Sequence, residues 1–456
     1  MSLEAPNPLS TAAAGGALSI SPIADPWERT LRAAIVAGVL AVIYLSATGL
    51  VWQPFVRPIE LPRWAHAIEQ PAVIWAVMGS LLLGFRTLLW FHYRPYAPAD
   101  MATAPFLTVI IPAYNEGPMV EKSIESVAAS RYPGDRLEIL VVDDGSKDDT
   151  WEHIQRAARR HPVQVTTVRF ARNRGKRAAL ETGFRQARGE VVVTIDSDSV
   201  IEPDTLLAMV GPFRDGAVGA VAGRVAVYNL EQGLIPRMLR VRYTLSFDFL
   251  RAAQSTYGTV YCCPGALAAY RTSAVRQVLD PWVEQTFLGA ACTYGEDRSM
   301  TNYILSLGYN TVYQRTAVVH TVVPWTYRRL SKMFLRWDRS YVREELRFAA
   351  RVVWKRPLAA RLIAAVDVLI TNLRFPVGYG ALGLLVYLSF QDPMTLVDML
   401  VVIGVMSSLH MLYYLRSERS WGAVYGVLYA YYSFFTLFWI FPYAVLTVRA
   451  RSWLTR

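Results

Sequence analysis

Two carboxylates one residue apart, Asp196 and Asp198, follow a run of β-formers, Val191-Val192-Val193-Thr194-Ile195. In an open α/β sheet, ligands bind beyond the carboxyl ends of strands. Asp-x-Asp at such an end offers hard oxygen ligands to Mg²⁺ or Mn²⁺, and a metal so held suits a diphosphate. Alone, the pair also reads as a solvated turn or a helix cap. Three other ligand-type clusters accompany it. Pro112-Ala113-Tyr114-Asn115-Glu116 ends one apolar run and Asp143-Asp144-Gly145-Ser146 ends another. Asn173-Arg174-Gly175-Lys176-Arg177 opens a helical stretch after a third. Parallel strands put all four ends on one edge, where they converge on one ligand.

Each cluster has a physical use. Asp144 can accept from the imide N–H of a pyrimidine or from a ribose hydroxyl, although Asp-Asp-Gly-Ser is also a good turn. Lys176 stands at a helix N-terminus, where a cation and free N–H groups suit an anion. Further on, Tyr294-Gly295-Glu296-Asp297-Arg298 precedes a helical stretch. A carboxylate there can take a proton from an acceptor hydroxyl, or simply occupy an acidic first turn. Phe334-Leu335-Arg336-Trp337 lies on a basic amphipathic stretch. Arg336 can neutralise a departing anion and Trp337 can stack on a sugar face. The same stretch also reads as a helix on a membrane surface with Trp as its anchor.

The positioning elements are legible from the pattern. Strands are expected over Leu107–Ile111, Leu137–Val142, Gln164–Phe170 and Val191–Ile195. Helices are expected over Pro118–Ala129, Thr150–Arg159 and Lys176–Arg188. This alternation predicts a mostly parallel, doubly wound α/β sheet. Around it the chain is apolar, with 53% hydrophobic residues overall, which points to a membrane protein with a soluble part. Residues 32–51 and 72–91 each match a spanning helix. Trp52, Pro54, Pro58, Pro62 and Trp64 suit an interface between them. Arg86 must face protein or snorkel. Three apolar blocks follow, over 361–390, 396–415 and 423–448. Arg374-Phe375-Pro376 is expected to split the first into an interfacial helix and a span. The last is expected to break near Tyr431–Pro442 and return, which keeps the basic tail cytosolic. The Ala/Ser/Pro-rich residues 1–30 predict a disordered N-terminus. The net charge of +11 fits positive-inside loops rather than nucleic acid. Cys262, Cys263 and Cys292 have no metal-ligand spacing and suggest no disulfide framework.

In these motifs the chain resembles membrane-embedded processive glycosyltransferases of family 2, and among them hyaluronan synthases and nodulation-type chitooligosaccharide synthases. The matching pieces are Val141 to Ser146, Asn173 to Arg177, Asp196-Ser197-Asp198, Cys262 to Arg271, Gly295 to Asn302, Arg336-Trp337 and Trp453 to Arg456. The resemblance implies a GT-A type, Rossmann-like cytosolic domain over 105–345. Two transmembrane helices (31–95) would precede it, and a membrane region (358–448) and a gating-like tail (449–456) would follow. It implies a multi-pass protein of the plasma membrane that uses a UDP-sugar, UDP-GlcNAc with or without UDP-GlcUA. The enzyme would extend a growing glycan by inversion and export it through its membrane helices.

Implied nucleotide contacts are Pro112, Tyr114, Glu116, Asp144, Lys176, Asp196 and Arg336. Asp198, with Asp196, would hold Mg²⁺ or Mn²⁺, and Asp297 would be the general base. Cys262, Gly265, Glu296 and Trp337 would flank the acceptor. Trp453, Thr455 and Arg456 would gate the site. The chain departs from the family at Met333, usually Gln, at Leu454, usually Gly, and at Pro264, often Ser. A non-processive lipid glycosyltransferase and a non-catalytic UDP-sugar-binding membrane protein are the alternatives.

Overall fold

The computed structural model describes residues 26–48 and 63–450. Those residues fall into two compact units, one over 93–361 and 439–450, the other over 26–92 and 362–438.

The first unit is built on an eight-stranded sheet. Its strands are β1 (Leu107–Ala113), β2 (Leu137–Asp143), β3 (Val165–Arg169), β4 (Val191–Thr194), β5 (Ser199–Ile201), β6 (Val218–Val227), β7 (Ala268–Arg271) and β10 (Asn310–Thr321). A separate hairpin holds β8 (Thr286–Phe287) and β9 (Ala290–Ala291). The order across the sheet is β3-β2-β1-β4-β7-β6-β10-β5. The first four strands are parallel. Every residue of β1 and β2 is buried, as expected of strands covered on both faces. β7 runs antiparallel to β4 and β6, β10 parallel to β6, and β5 antiparallel to β10. The expected parallel sheet is therefore its first half, and the second half is mixed.

Helices Met119–Ala128, Thr150–Arg160 and Lys176–Gln186 follow β1, β2 and β3, close to the expected bounds. Beyond the sheet come helices Thr272–Val283, Glu296–Ser306 and Tyr327–Arg347. The Tyr327–Arg347 helix starts on a Thr326 side chain that accepts from the Arg329 amide. Between β6 and β7, Leu245–Arg251 is a π-helical segment, a local irregularity frequent at functional sites. Arg356 is the central buried cation of this unit. Its guanidinium donates to the carbonyls of Tyr309 (2.5 Å) and Gly258 (3.0 Å) and to Asn310 Oδ1 (2.7 Å).

The second unit is helical. Three helices, Trp27–Ala47, Ala65–His92 and Met394–Glu418, are long and apolar enough to cross a membrane. The number rises to four if the last broken block counts as one span. Polar groups between these helices are paired. Arg86 reaches Asp367 (2.7 Å) and Thr371 (2.6 Å), and Ser46 meets Ser80 (3.0 Å). Arg86 thus faces protein.

Two expectations change here. Residues 26–30 form the first turns of a helix, started by Pro26 and closed by a Glu28–Arg32 pair at 2.7 Å. Proline suits a first helical position because its missing N–H is not needed there. The Arg374-Phe375-Pro376 triplet does not split the 361–390 block. One helix runs from Leu358 to Gln391 with Pro376 inside it. Packing in an apolar bundle tolerates the lost hydrogen bond that would break an isolated helix. The last block does break, between helices Val424–Thr436 and Ile440–Leu446.

Candidate active site

The ends of β1, β2 and β4 share one edge, as their parallel pairing requires. Pro112, Lys176, Asp196, Gly265, Glu296 and Asp297 line one cavity there. Its apolar wall is Leu180, Phe184, Tyr270, Trp282 and Met300.

Lys176 is the hub. Its ammonium is paired with Asp196 and stands 3.4 Å from Glu296. Burial alone would lower its pKa, but the carboxylates of Asp196 and Glu296 outweigh it and hold the proton well above the ordinary lysine value. Gly265 leaves room opposite. A Cβ on Gly265 would lie 2.9 Å from the Lys176 Nζ.

Asp297 stands in the first turn of the Glu296–Ser306 helix, two residues after Gly295, which has φ +73°. A Cβ at Gly295 would come within 1.9 Å of Ser340 Oγ. Only glycine lets the chain turn there at no steric cost while lying against the Tyr327–Arg347 helix. The Asp297 carboxylate accepts from the Arg298 amide (2.7 Å) and the Gly265 amide (3.2 Å), and the Cys262 thiol donates to it at 3.7 Å. Burial raises its pKa, and the neighbouring Glu296 charge raises it further. Glu296 moves the other way. Its burial is outweighed by Lys176, assisted by Arg336 and Arg177, so its pKa is lowered. Two adjacent carboxylates, Glu296 buried and Asp297 half-buried, therefore separate into a readily ionised one and a more basic one, the division that acid–base chemistry uses.

The Cys262–Gly265 loop is fixed from two sides. Arg251, at the end of the π-helical segment, donates to the Cys262 carbonyl (3.0 Å). Thr301 accepts from the Cys263 amide (3.0 Å) and donates to the Asp297 carbonyl (2.8 Å). Burial pushes the Cys263 thiol up to about 12 and the Cys262 thiol higher.

Asp144 is more committed than its sequence suggests. Its carboxylate accepts from the amides of Arg174 (2.6 Å) and Gly175 (2.8 Å), which pins the loop that presents Lys176. Burial nevertheless raises its pKa, because desolvation exceeds the effect of those two bonds. Glu116 accepts from Ser197 Oγ (3.1 Å), tying the β1 loop to the Asp-x-Asp turn. Tyr114 follows β1 on the same edge. The hydroxyl oxygens of Thr321 and Ser199 each lie 3.2 Å from Asp198 Oδ1. Hard carboxylate oxygens of Asp196 and Asp198 fit Mg²⁺ or Mn²⁺, which is commonly held by one or two carboxylates plus substrate phosphates. Among the described residues no cluster of three or more His, Cys, Asp or Glu is placed to chelate a metal alone.

Trp337 does not line this cavity. It is 38% exposed and packs on Phe334 and Tyr243. Met333 is buried in the same helix. The gating residues Trp453, Thr455 and Arg456 lie outside the described residues. The chain just before them is held near the site. Tyr294 donates to the Ala450 carbonyl (2.7 Å), and Arg339 to Thr447 Oγ1 (2.8 Å). Gly295, Arg251, Thr301 and Thr321 also position the site and were not among the expected site residues. Gly295 and Thr301 lie in the Gly295-to-Asn302 motif, whereas Arg251 and Thr321 carried no signal.

Comparison with known proteins agrees with this architecture. Residues 108–279 match the model for glycosyl transferase family 2. An N-acetylglucosaminyltransferase of Rhizobium meliloti is 34% identical over 59% of this chain and 65% of its own length. The match to that of Rhizobium leguminosarum bv. viciae, at 36%, spans 59% of the relative. The chain thus spans about three fifths of the curated relatives first matched. A hyaluronan synthase of Streptococcus pyogenes is 29% identical over 83% of this chain and 90% of its own length. A mannosyltransferase from Pyrobaculum calidifontis, solved with GDP-Man and Mn²⁺, superposes with a TM-score of 0.57 at 24% identity. It covers 80% of this chain and 98% of that one, and the likeness is one of fold. The chain thus combines a GT-A type α/β fold, flanked by apolar helices, with a match to glycosyl transferase family 2 over residues 108–279.

Proposed function

We propose that the protein is an inverting, divalent-cation-dependent membrane glycosyltransferase that uses a UDP-sugar, UDP-GlcNAc first, to extend a glycan of the chitin-oligosaccharide or hyaluronan type. The observation that carries this reading is Asp297. It is a half-buried carboxylate of raised pKa, lining one cavity with the cation Lys176 and the Asp-x-Asp residue Asp196. The relatives named N-acetylglucosaminyltransferase and hyaluronan synthase support the choice of donor.

In this mechanism Asp297 accepts the proton of an acceptor hydroxyl. That oxygen bonds to the donor's anomeric carbon as the bond to the β-phosphate oxygen breaks, and UDP leaves with the electron pair. Lys176 and Arg336 receive the charge that develops on the diphosphate. Asp196 and Asp198 would hold a divalent cation, which supplies Lewis-acid stabilisation of that leaving group when bound. Asp144 holds the 174–175 loop and so aims Lys176 at the same point. Trp337 would stack on the acceptor glycan. The apolar helices would carry the product across a plasma membrane, with the catalytic domain on its cytosolic side.

A donor panel tests this reading. Purified protein with Mn²⁺ is given UDP-GlcNAc, UDP-GlcUA, both, or GDP-mannose, and the product is analysed by mass. Oligomers from UDP-GlcNAc alone indicate a chitin-like product, and a strict need for both UDP-sugars indicates hyaluronan. No UDP release from any UDP-sugar contradicts the proposal.

A further inference from the structure

We infer that Thr321 and Ser199 form a hydroxyl clasp that sets the rotation of the Asp198 carboxylate for a divalent cation, which makes Thr321 a positioning residue of the site. The inference rests on the reading of Asp196 and Asp198 as the metal-holding pair.

The geometry begins with a short strand. β5 is three residues long and pairs antiparallel with the end of β10, Ser199 facing Thr321. Thr321 Oγ1 lies 3.2 Å from Asp198 Oδ1, and Ser199 Oγ lies 2.9 Å from Thr321 Oγ1 and 3.2 Å from Asp198 Oδ1. A hydroxyl has one proton to give. If Thr321 gives its proton to the carboxylate, its oxygen accepts from Ser199, and the three groups form a donor chain ending on Asp198. Such chains polarise one another. Ser199 is fully buried and Thr321 nearly so, which shields the chain from competing water. The backbone is pinned as well. Val322 N–H donates to the Asp198 carbonyl (3.2 Å), and Ser199 N–H to the Asp196 carbonyl (3.0 Å). The end of β10 therefore fixes both the main chain and the side chain of Asp198.

Asp198 stands in a turn, so hydrogen bonds to its carboxylate bear on the rotation it presents. Groups that hydrogen-bond a metal ligand orient it and tune it, and their loss typically costs roughly 10–100-fold in metal affinity. Thr321→Val keeps the branched shape and removes the hydroxyl, both the donor to Asp198 and the acceptor from Ser199.

The test is direct Mn²⁺ binding by the full-length protein with UDP, read from the electron paramagnetic resonance of free Mn²⁺. Thr321→Val should weaken binding about 10-fold, and Ser199→Ala with Thr321→Val further, toward the upper end of the range for lost partners of a metal ligand. Thr321→Ser should restore it. In turnover, the Mn²⁺ concentration for half-activity should rise while kcat at saturating Mn²⁺ stays within a few-fold. Wild-type affinity in both the single and double variants overturns the clasp alone. A wild-type protein that holds no Mn²⁺ with UDP overturns the metal-holding reading beneath it.

Discussion

At the residue scale the account turns on how Glu296 and Asp297 divide their charge. Burial and the Glu296 charge raise the Asp297 pKa above the ordinary value. A base works only when deprotonated, so kcat/KM should fall as pH drops through that raised pKa. The acid limb should therefore lie above the ordinary aspartate range near 3.9. Glu296→Gln removes the like charge and should move the limb to lower pH, read from a kcat/KM profile, which reports the free enzyme. An unmoved limb would detach Asp297 from that limb. The carboxylates and Lys176 were legible in the sequence because acidic and basic residues at strand ends are visible one motif at a time. Thr321 was not, since it stands 123 residues from Asp198 and only the β5–β10 pairing joins them.

At the scale of elements, the Glu296–Ser306 helix is placed by its contact with the Tyr327–Arg347 helix. Gly295→Ala would put a methyl 1.9 Å from Ser340 Oγ at a residue with φ +73°. The backbone strain alone is roughly 1–2 kcal/mol, and displacement of Ser340 adds to it. We expect a lower thermal midpoint and a larger loss of turnover than of UDP binding. Ser340→Gly in the same chain should recover part of the midpoint.

Arg356→Ala removes the donor to four acceptors from two loops and the start of β10. Hydrogen bonds from a charged group contribute about 1.5–3 kcal/mol each, so the melting of the catalytic unit should shift clearly downward. Arg356→Lys should restore little, because one ammonium cannot reproduce the planar fork. The parallel half of the sheet and its helices were readable from alternating apolar runs and turn residues. The mixed half was not, because strand direction there depends on long connections rather than on local pattern. Pro376 misled for the converse reason: its local cost is visible in the sequence, whereas the packing that absorbs it is not.

At the scale of the molecule, a soluble chemistry is joined to apolar helices, and the polar groups among those helices are paired. Arg86 and Asp367 meet at 2.7 Å, and Asp367 is nearly fully buried. Breaking a buried pair by removing one partner typically costs about 3–5 kcal/mol. Arg86→Leu should therefore reduce the monodisperse, membrane-extracted protein, whereas Arg86→Leu with Asp367→Leu should recover it. Size-exclusion profiles of tagged protein check this.

The membrane character was plain in composition, and the residues of the candidate site were plain in their motifs. Their convergence on one cavity needed the fold. The central claim is that Asp297 activates the acceptor in a UDP-sugar site. The direct measurement is UDP release from UDP-GlcNAc with Mn²⁺ by wild type and Asp297→Asn, with UDP binding measured alongside. The account predicts that the variant binds UDP normally and loses turnover by about 10²-fold or more, the range of general-base catalysis. Undiminished turnover in Asp297→Asn would contradict it.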